Sequence, residues 1–396
     1  MLEALPTPPV DPILALGGAV RSDRRSDKLD LGIGVFRDEA GHTPIMQAVR
    51  EAERRLLDDR TTKTYVGARG DLRFADAVAQ LILGTGRPER LTGIQATGGT
   101  GALRVLAGLV ARARRDVAVW VPEPTWLNHQ TIFADAGLKT AGYPYYDRTE
   151  LRVRPDLLLA KLETIPAGDV VLFHGCCHNP CGADLPFEAW EAIAEVMGKR
   201  GLIPFVDLAY QGFGRGLDED AAGVRLLAAK MPELLIAFSC SKNFGLYSER
   251  TGCALVLAEN EARARLAGEH MALVARPLYS MPPDHGSAIV RTILEDAELA
   301  ASWRIELSEM TQSILDNRRA LAAAFRNATG TTGFDYLENG SGMFSLLNLS
   351  PGEILTLREE RGIYIVEDGR INVAGLPTQR VTDFVHAVTD ALARRT

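Results

Sequence analysis

A lysine at the end of an apolar run has the type and position that most suggest covalent chemistry. Residues 234–238 (LLIAF) are followed by Ser239, Ser241 and Lys242. A lysine amine attacks an aldehyde only when it is neutral, and partial burial lowers its pKa. Lys242 could therefore form a Schiff base with a carbonyl compound. Taken alone, a lysine in such a place is more often a solvent-facing loop residue.

A glycine- and threonine-rich segment, residues 97–102 (TGGTGA), precedes a helical pattern over residues 103–112. Glycines at the start of a helix let backbone N–H groups approach an anion, and Thr100 adds a hydroxyl. The spacing matches neither a Walker phosphate loop nor a dinucleotide-binding fingerprint. On its own, the segment could equally be a tight turn.

An acidic and a phenolic side chain, Asp207 and Tyr210, follow the apolar run 202–206 (LIPFV). A carboxylate here could pair with the protonated ring nitrogen of a ligand. At about 4 Å and an effective dielectric of about 20, such a pair is worth ~4 kcal/mol, which would raise the pKa of the nitrogen by roughly three units. Tyr210 could donate to a ring hydroxyl. The alternative role for Asp207 is to cap a helix.

Two histidines and three cysteines crowd the segment 173–182 (FHGCCHNPCG). Adjacent cysteines lack the two-residue spacing of zinc knuckles, and no second ligand pair follows, so we predict no metal site. Asn179, before Pro180, is instead expected to present its amide to a ligand. The chain has five cysteines in all, and their uneven spacing argues against a disulfide framework.

Three arginines, Arg250, Arg276 and Arg370, lie in short motifs: ERTG, ARPLYSMPP and DGRINVAG. Guanidinium groups bind phosphate and carboxylate through two parallel hydrogen bonds. The chain has 44 lysines and arginines, so the motifs alone do not distinguish these three arginines as ligand-binding residues.

The elements that must position these residues alternate short apolar runs with amphipathic helices. The runs are apolar on both faces, which is typical of strands buried between layers of helices. They cover residues 117–121, 170–173, 202–206, 234–238 and 253–257, and helical patterns include 187–198 and 222–230. The alternation predicts an α/β fold with a mainly parallel sheet. Ligands of such sheets bind beyond the carboxyl ends of the strands.

The pattern changes after about residue 310, which predicts a second, smaller α+β domain. It includes a long helix over about 300–327 and a closing helix near 382–394. The strand-like residues 30–35 are expected to pack with it, and the proline-rich start (Pro6, Pro8, Pro9, Pro12) predicts an extended arm. The predicted division is an N-terminal arm with part of the small domain (1–42), a large domain (43–309) and a small C-terminal domain (310–396).

Composition and charge exclude several classes of protein. The net charge is −7, and no dense block of Lys and Arg is present, so no nucleic-acid partner is expected. No apolar run reaches the ~18 residues that span a bilayer. The start of the chain has no basic region typical of a signal peptide, and we expect a cytoplasmic protein.

The combined segments resemble the class I aminotransferases of the aspartate and aromatic amino acid aminotransferase family. Matching segments run from residues 31–36 (LGIGVF) to 370–375 (RINVAG), nearly the whole chain. They include TYVGARG, TGGTGALR, PTWLNH, GCCHNPCG, DLAYQGF, SCSKNFGLY, ERTGC, YSMPP and GMFS. No single segment is specific, but CCHNP, DxAYQGF and SxSKNFGLY in this order form a highly specific signature.

The resemblance implies a homodimer of the pyridoxal-phosphate (PLP) fold type I, with active sites at the subunit interface. Lys242 would hold the cofactor and move the substrate proton, and Asp207 would pair with the pyridine nitrogen. Tyr210 and Asn179 would bind the ring hydroxyl. The residues implied at the phosphate are Gly99, Thr100, Ser239, Ser241, Arg250 and, from the neighbouring subunit, Tyr65.

The resemblance also implies a substrate site. Trp126 would stack on the cofactor ring and, with Asn179, help to hold the substrate, and Asn128 and His129 would lie nearby. Arg370 would bind the α-carboxylate, with Gly34 closing over it. Arg276 of the neighbouring subunit would meet a distal carboxylate.

The implied reaction is a ping-pong exchange of an amino group between an amino acid and 2-oxoglutarate. The chain departs from the family pattern at Cys181, Phe36 and Met281, where Thr, Tyr and Asn are common, and Cys240 is like some aromatic-type members. Arg276 predicts dicarboxylate binding, whereas the bulky Met281 favours a ring. We therefore predict an aromatic amino acid aminotransferase that also accepts aspartate and glutamate. The alternative is a dedicated aspartate aminotransferase.

Overall fold

The computed structural model describes residues 1–7, 11–84 and 88–394. The α-helices in these residues are α1 (Pro12–Ser22), α2 (Gln47–Asp59), α3 (Leu72–Leu83), α4 (Gly98–Ala113), α5 (Asn128–Asp135), α6 (Pro155–Leu162), α7 (Phe187–Arg200), α8 (Leu217–Lys230), α9 (Glu261–Tyr279), α10 (Asp284–Glu295), α11 (Ala297–Thr329), α12 (Pro351–Arg361) and α13 (Val381–Ala393). Short 3₁₀ turns cover Leu2–Ala4, Asp335–Leu337, Val373–Gly375 and Thr378–Arg380.

The strands in the described residues form one large sheet and three small two-stranded sheets. They are β1 (Leu29–Asp30), β2 (Leu91–Thr97), β3 (Ala118–Glu123), β4 (Lys139–Pro144), β5 (Tyr146–Asp147), β6 (Arg152–Val153), β7 (Val170–His174), β8 (Ile203–Leu208), β9 (Leu234–Ser239), β10 (Thr251–Leu257), β11 (Phe344–Leu346), β12 (Ile363–Tyr364) and β13 (Arg370–Asn372). The large sheet has the order β2-β10-β9-β8-β7-β3-β4. In this sheet β10 runs antiparallel to both of its neighbours, β2 and β9, and the other neighbouring pairs are parallel. The prediction of an α/β fold with a mainly parallel sheet is confirmed.

Helices cover both faces of the large sheet because its strands are apolar on both faces. In β7, Val171 and Phe173 pack into one hydrophobic cluster, and Val170 and Leu172 pack into another. The alternation follows from the two-residue period of a strand. It leaves the strand ends as the places where polar side chains can gather.

A third hydrophobic cluster joins the two ends of the chain. Leu29 and Leu31 pack in it with residues that run from Leu321 on α11 to Ala391 on α13. The parallel pair β1–β12 connects the same two regions through the backbone. This cluster agrees with the expected packing of the opening segment, and we propose the predicted domain bounds at 42 and 309 on that basis.

The strand predicted over residues 30–35 is wrong beyond Asp30. Asn372 Nδ2 donates to the carbonyls of Ile33 and Val35, each at 2.7 Å, and Arg370 donates to the carbonyl of Gly32. Side chains therefore satisfy the carbonyls that a strand partner would otherwise use. The segment stays irregular and lies against β13.

Two predicted element starts also require correction. Pro12 is the first residue of α1 rather than part of an extended arm, since Asp11 caps that helix by accepting from Ile13 N and Leu14 N. Pro8 and Pro9 lie outside the described residues. Helix α4 begins at Gly98, five residues before the apolar pattern, so the glycine-rich segment forms its first turn.

Among residues 1–7, 11–84 and 88–394, none of the helices combines the length and apolarity that crossing a membrane requires.

Two glycines provide a matched test of the packing. Gly182 has φ +64°, and a Cβ there would overlap the carbonyl oxygen of Phe344, whereas a Cβ at Gly198 on α7 would meet nothing within 4 Å. We expect Gly182→Ala to lower the free energy of unfolding by about 1–3 kcal/mol. Gly198→Ala should raise it by up to about 1 kcal/mol. Urea unfolding of both variants measures this, and equal effects would contradict the packing described for Gly182.

Candidate active site

The predicted site residues converge on one cavity at the carboxyl ends of the parallel strands. Strands β7, β8 and β9 end side by side, and in their register His174 lies opposite Asp207, and Asp207 opposite Ala237. The predicted residues that line the cavity are Gly34, Gly99, Thr100, Trp126, Asn179, Asp207, Tyr210, Ser239, Ser241, Lys242, Arg250 and Arg370. The edge of the sheet that the strand pattern indicated is therefore where these side chains meet.

Lys242 follows β9 by three residues, and its half-buried side chain lines the cavity. The pKa of Lys242 is lowered to about 8: burial is the largest cause, Arg250 and Arg370 act in the same direction, and Asp207 opposes them. The Nζ atom lies 5.5 Å from the centroid of the Tyr210 ring. Far more of this amine is therefore uncharged near neutral pH than at its ordinary pKa of 10.5, and the uncharged form is the one that attacks a carbonyl carbon. Lys242 lies in a turn, but its side chain lines the cavity rather than the outer surface of the protein.

Asp207 is buried near the end of β8. It does not cap a helix, because the next α-helix, α8, begins only at Leu217. Its Oδ2 lies 2.9 Å from Nε2 of the fully buried His129. On the far side of that ring, Nδ1 lies 2.8 Å from Thr125 Oγ1, which is 3.2 Å from His174 Nε2. The backbone N–H of Asn179 donates to His174 Nδ1 at 3.3 Å.

These contacts fit one direction of hydrogen bonding. If each group donates to the next, the chain runs from the Asn179 amide through His174, Thr125 and His129 to Asp207, with both rings neutral. Burial lowers the pKa of His174 to about 3 and keeps its ring neutral. The chain ends on the carboxylate and holds it in place. Asp207 therefore presents its charge to the cavity in a fixed direction.

An anion-binding end of the cavity forms around the first turn of α4. Gly98 has φ +70°, and a Cβ there would lie 2.6 Å from Arg250 Nη2. Arg250 Nη1 donates to the Tyr247 carbonyl at 3.0 Å and to Ser241 Oγ at 3.4 Å. A helix N-terminus carries free N–H groups and positive partial charge, and a guanidinium beside it adds a full charge. This arrangement favours an anion site over a simple turn for residues 97–102.

A carboxylate-binding end forms around Arg370, which is buried on β13. Its Nη1 donates to Asn179 Oδ1 at 3.1 Å, and its Nη2 donates to the Gly32 carbonyl at 2.6 Å. Its Nε has no hydrogen-bond partner, and no carboxylate of the described residues lies within ion-pair distance. A buried cation that lacks a counter-ion is costly. An acidic ligand can supply that counter-ion.

The ring of Phe344 covers one face of this guanidinium. Arg370 Cζ lies 4.4 Å from the centroid of the Phe344 ring. The Tyr210 and Phe344 rings are perpendicular, with their centroids 6.0 Å apart. A Cβ at Gly34 would lie 2.7 Å from the Phe344 ring, so only glycine allows this approach. Asn179 Nδ2 also donates to the Tyr210 hydroxyl at 3.4 Å. Asn179 thus connects Arg370 with Tyr210.

Three predicted residues do not line this cavity. Asn128 is half-buried in the first turn of α5, while Tyr65 and Arg276 are exposed on the surface. The segments that carry the exposed pair are in contact, because the backbone N–H of Val66 donates to Met281 Sδ at 3.0 Å. The expected action of Tyr65 and Arg276 in a neighbouring subunit stays a prediction.

The sequence reasoning missed the roles of Thr125, His174 and Phe344. Thr125 and Phe344 lie inside motifs that had been recognised, PTWLNH and GMFS, and His174 was considered only as a metal ligand. The signal for His174 was its place at the end of a strand next to the one that carries Asp207. Only the register of the two strands turns that signal into a contact.

One cysteine group could be considered for a metal. In the part of the chain that the structure describes, ligand atoms of Cys176, Cys177 and Asp220 lie within 4.8 Å of one another. Burial raises the pKa of Cys177 to about 12, and Asp220 already accepts from three backbone N–H groups. Metals bind thiolates rather than thiols, so this donor set does not favour a metal. That the protein needs no metal stays a prediction.

The chain matches a known family over most of its length. The family model for aminotransferases of class I and II matches residues 26–388. The aromatic-amino-acid aminotransferase of Paracoccus denitrificans is 47% identical over 381 residues, which cover 96% of this chain and 97% of that protein. The aspartate aminotransferase of Escherichia coli K12 is 42% identical over 397 residues, covering 99% and 100%.

Solved structures share the fold as well. The crystal structure of the aromatic-amino-acid aminotransferase from Burkholderia pseudomallei, covalently bound to pyridoxal phosphate, superposes with a TM-score of 0.96. It is 38% identical in sequence, and the match covers 99% of each chain.

The acidity of Lys242 can be measured in the cofactor-free protein. We expect labelling of Lys242 by an amine-reactive reagent to reach half of its maximum near pH 8, because burial lowers its pKa. Lys199 on α7 is the control, since its ion pair with Glu195 raises its pKa above 10.5. Peptide mapping by mass spectrometry over pH 6–11 reports both. Matching pH profiles for the two lysines would contradict the assigned environment of Lys242.

Proposed function

The chain belongs to the class I and II aminotransferases, and from that premise we propose a specific reaction. The enzyme transfers the amino group of aromatic amino acids, and also of aspartate and glutamate, to 2-oxoglutarate by a ping-pong mechanism with pyridoxal 5′-phosphate. The observation that carries the proposal is the meeting, in one cavity, of the Lys242 amine with an anion-binding and a carboxylate-binding end. Aromatic-amino-acid aminotransferases among the relatives support the choice of substrate.

The residues in the cavity suit pyridoxal phosphate. Gly99 and Thr100 in the first turn of α4, with Ser239, Ser241 and Arg250, would hold the phosphate. Lys242 would bind the aldehyde carbon, and Asp207 would pair with the ring nitrogen, while Tyr210 and Asn179 would bind the ring hydroxyl. The cofactor, when bound, supplies an electron sink for the charge that develops when the substrate loses its α-proton.

Arg370 is proposed to bind the α-carboxylate of every substrate. Its unpartnered Nε and its lack of an acidic partner leave it able to accept a negative charge. A charge-assisted bond to a buried guanidinium fixes the direction of the substrate as well as its affinity. Because amino acids and 2-oxo acids share this carboxylate, one arginine serves both halves of the reaction.

Lys242 is proposed as the general base and acid that moves the α-proton of the substrate. Its pKa of about 8 lies near neutral pH, and a proton-transfer group is most effective at a pH near its own pKa. Asp207, on the other side, would keep the ring nitrogen protonated. The chain of hydrogen bonds through His129 holds the Asp207 carboxylate in place for that task.

We also propose that two copies of the chain form a homodimer with shared sites. Tyr65 is 88% exposed, and Arg276 is exposed on the adjoining segment. Aromatic residues are enriched at protein–protein interfaces relative to the rest of the surface. Tyr65 would reach the phosphate of the neighbouring site and Arg276 the distal carboxylate of its substrate. Met281 beside them would favour an aromatic ring in the same space.

Substrate kinetics test the proposed function. We expect kcat/KM with 2-oxoglutarate as acceptor to be higher for tyrosine and phenylalanine than for aspartate. A dedicated aspartate aminotransferase would show the opposite order. Lys242→Ala should lower kcat by at least roughly 10²-fold, since it removes the proton-transfer group. Lys199→Ala is the control and should retain wild-type rates. A Lys242→Ala enzyme within tenfold of the wild type would contradict the mechanism.

Arg276 should discriminate between the two substrate classes. We expect Arg276→Ala to lower kcat/KM for aspartate by roughly 10- to 100-fold, because a charged hydrogen bond is lost. The loss for phenylalanine should stay below about threefold. Arg263→Ala, an exposed change near the other end of α9, is the control. Equal losses for both amino acids would show that Arg276 does not contact the distal carboxylate.

Mixed dimers test whether the sites are shared. An Arg276→Ala chain and a Lys242→Ala chain each lack full aspartate activity. A hybrid of the two has one site with Lys242 from one subunit and Arg276 from the other, so we expect co-refolding to restore part of the aspartate activity. Mixtures that stay as inactive as the separate variants would contradict a shared site.

A further inference from the structure

Arg318 on α11 is a fully buried arginine that lies outside the cavity and has no acidic partner within ion-pair distance among the described residues. We propose that Arg318 is a positioning residue for substrate binding: it fixes the two loops that orient Arg370. The proposal rests on the proposed function, because it concerns how firmly Arg370 binds the substrate carboxylate.

The guanidinium of Arg318 is the centre of a set of backbone acceptors. It donates to the carbonyls of Leu337 (3.0 Å), Ser341 (2.9 Å), Gly342 (2.8 Å) and Phe344 (2.6 Å), and to Ser345 Oγ (2.9 Å). Burial lowers the pKa of Arg318 only to about 10, so it stays charged at neutral pH. These acceptors lie on a 3₁₀ turn, on the loop that follows it and at the start of β11, and Arg318 supplies hydrogen-bond donors to all three.

The first loop held in this way carries Phe344. Its carbonyl accepts the shortest of the Arg318 bonds, and its ring covers the Arg370 guanidinium. The same residue begins β11, which pairs antiparallel with β13 so that Leu346 lies opposite Arg370. Arg318 therefore fixes both the ring above Arg370 and the strand beside it.

The second loop, residues 177–184, carries Asn179, which accepts from Arg370 Nη1. It is joined to the first loop because Ser341 N donates to the Gly182 carbonyl at 2.7 Å. A Cβ at Gly182 would also lie 2.9 Å from Arg318 Nη2. Asp184 completes the joint: it accepts from the backbone N–H of Cys177 and His178 and from the Ser341 hydroxyl.

Two of the contacts that orient Arg370, the ring of Phe344 and the amide oxygen of Asn179, thus converge on Arg318. A lysine at position 318 would keep the charge, but its single ammonium has three donors and no planar fork. It cannot serve five acceptors spread over residues 337–345. Without those hydrogen bonds the two loops would be held less firmly, and Arg370 would be less well directed toward a carboxylate.

Steady-state kinetics of the holoenzyme test the role of Arg318. We expect Arg318→Lys to raise KM about tenfold for amino acids and for 2-oxoglutarate alike, with kcat changed by less than about threefold. The amount of cofactor bound per subunit should stay as in the wild type, because no contact at the anion-binding end changes. Arg319→Met is the matched control, because Arg319 is the next residue along α11, is 56% exposed and pairs with Asp316 on the surface. The KM values of this variant should equal those of the wild type.

A double-mutant cycle separates positioning from simple stabilisation. If Arg318 acts through Arg370, Arg318→Lys should add little to the KM already raised by Arg370→Lys. A lower melting temperature with wild-type KM values, or fully additive losses in the cycle, would overturn the proposal. If the Arg318→Met variant folds, its KM should rise more than that of Arg318→Lys. If Arg318→Met does not fold, the KM of Arg318→Lys alone tests the proposal. Absence of transamination in the wild type would instead refute the proposed function.

Discussion

The amine of Lys242 lies where burial and charge act on it in opposite directions. Loss of solvent and the nearby Arg250 and Arg370 favour the neutral amine, and the Asp207 carboxylate favours the ammonium. The resulting pKa of about 8 lets one group serve as a nucleophile and as a carrier of protons. The remaining structure can be understood as the means of keeping two cations and one carboxylate at fixed positions around that amine.

The carboxylate is held by residues from neighbouring strand ends. Because β7 and β8 run parallel in register, His174 lies beside Asp207, and Thr125 and His129 complete the connection from the loop after β3 and the start of α5. Burial lowers the pKa of His174 to about 3, so its ring adds no charge beside Asp207. A polar network of this kind can be buried at low cost only when each group has its partner.

The cation at the other end depends on contacts between distant parts of the chain. Arg370 donates to Asn179, 191 residues earlier, and to the Gly32 carbonyl, 338 residues earlier. The cluster that joins Leu29 and Leu31 to α11 and α13 brings these segments together. Arg318 adds the connection between the loops around Arg370. The carboxylate-binding end of the cavity is therefore built on the packing of both end regions of the chain, whereas the anion-binding end is built within the large domain's sheet and α4.

The sequence by itself determined the parts that depend on local order. Short continuous apolar runs identify the buried strands, and the positions of Asp207 and Lys242 follow directly from where those runs stop. The irregular path of residues 31–35, the chain of groups behind Asp207 and the acceptors of Arg318 were decided only by the tertiary structure. Apart from the short links Thr125–His129 and His174–Asn179, they arise from partners 19 to 339 residues apart, such as His129 and Asp207 at 78. Local pattern cannot specify such contacts, since they exist only once strands are in register and both termini have packed.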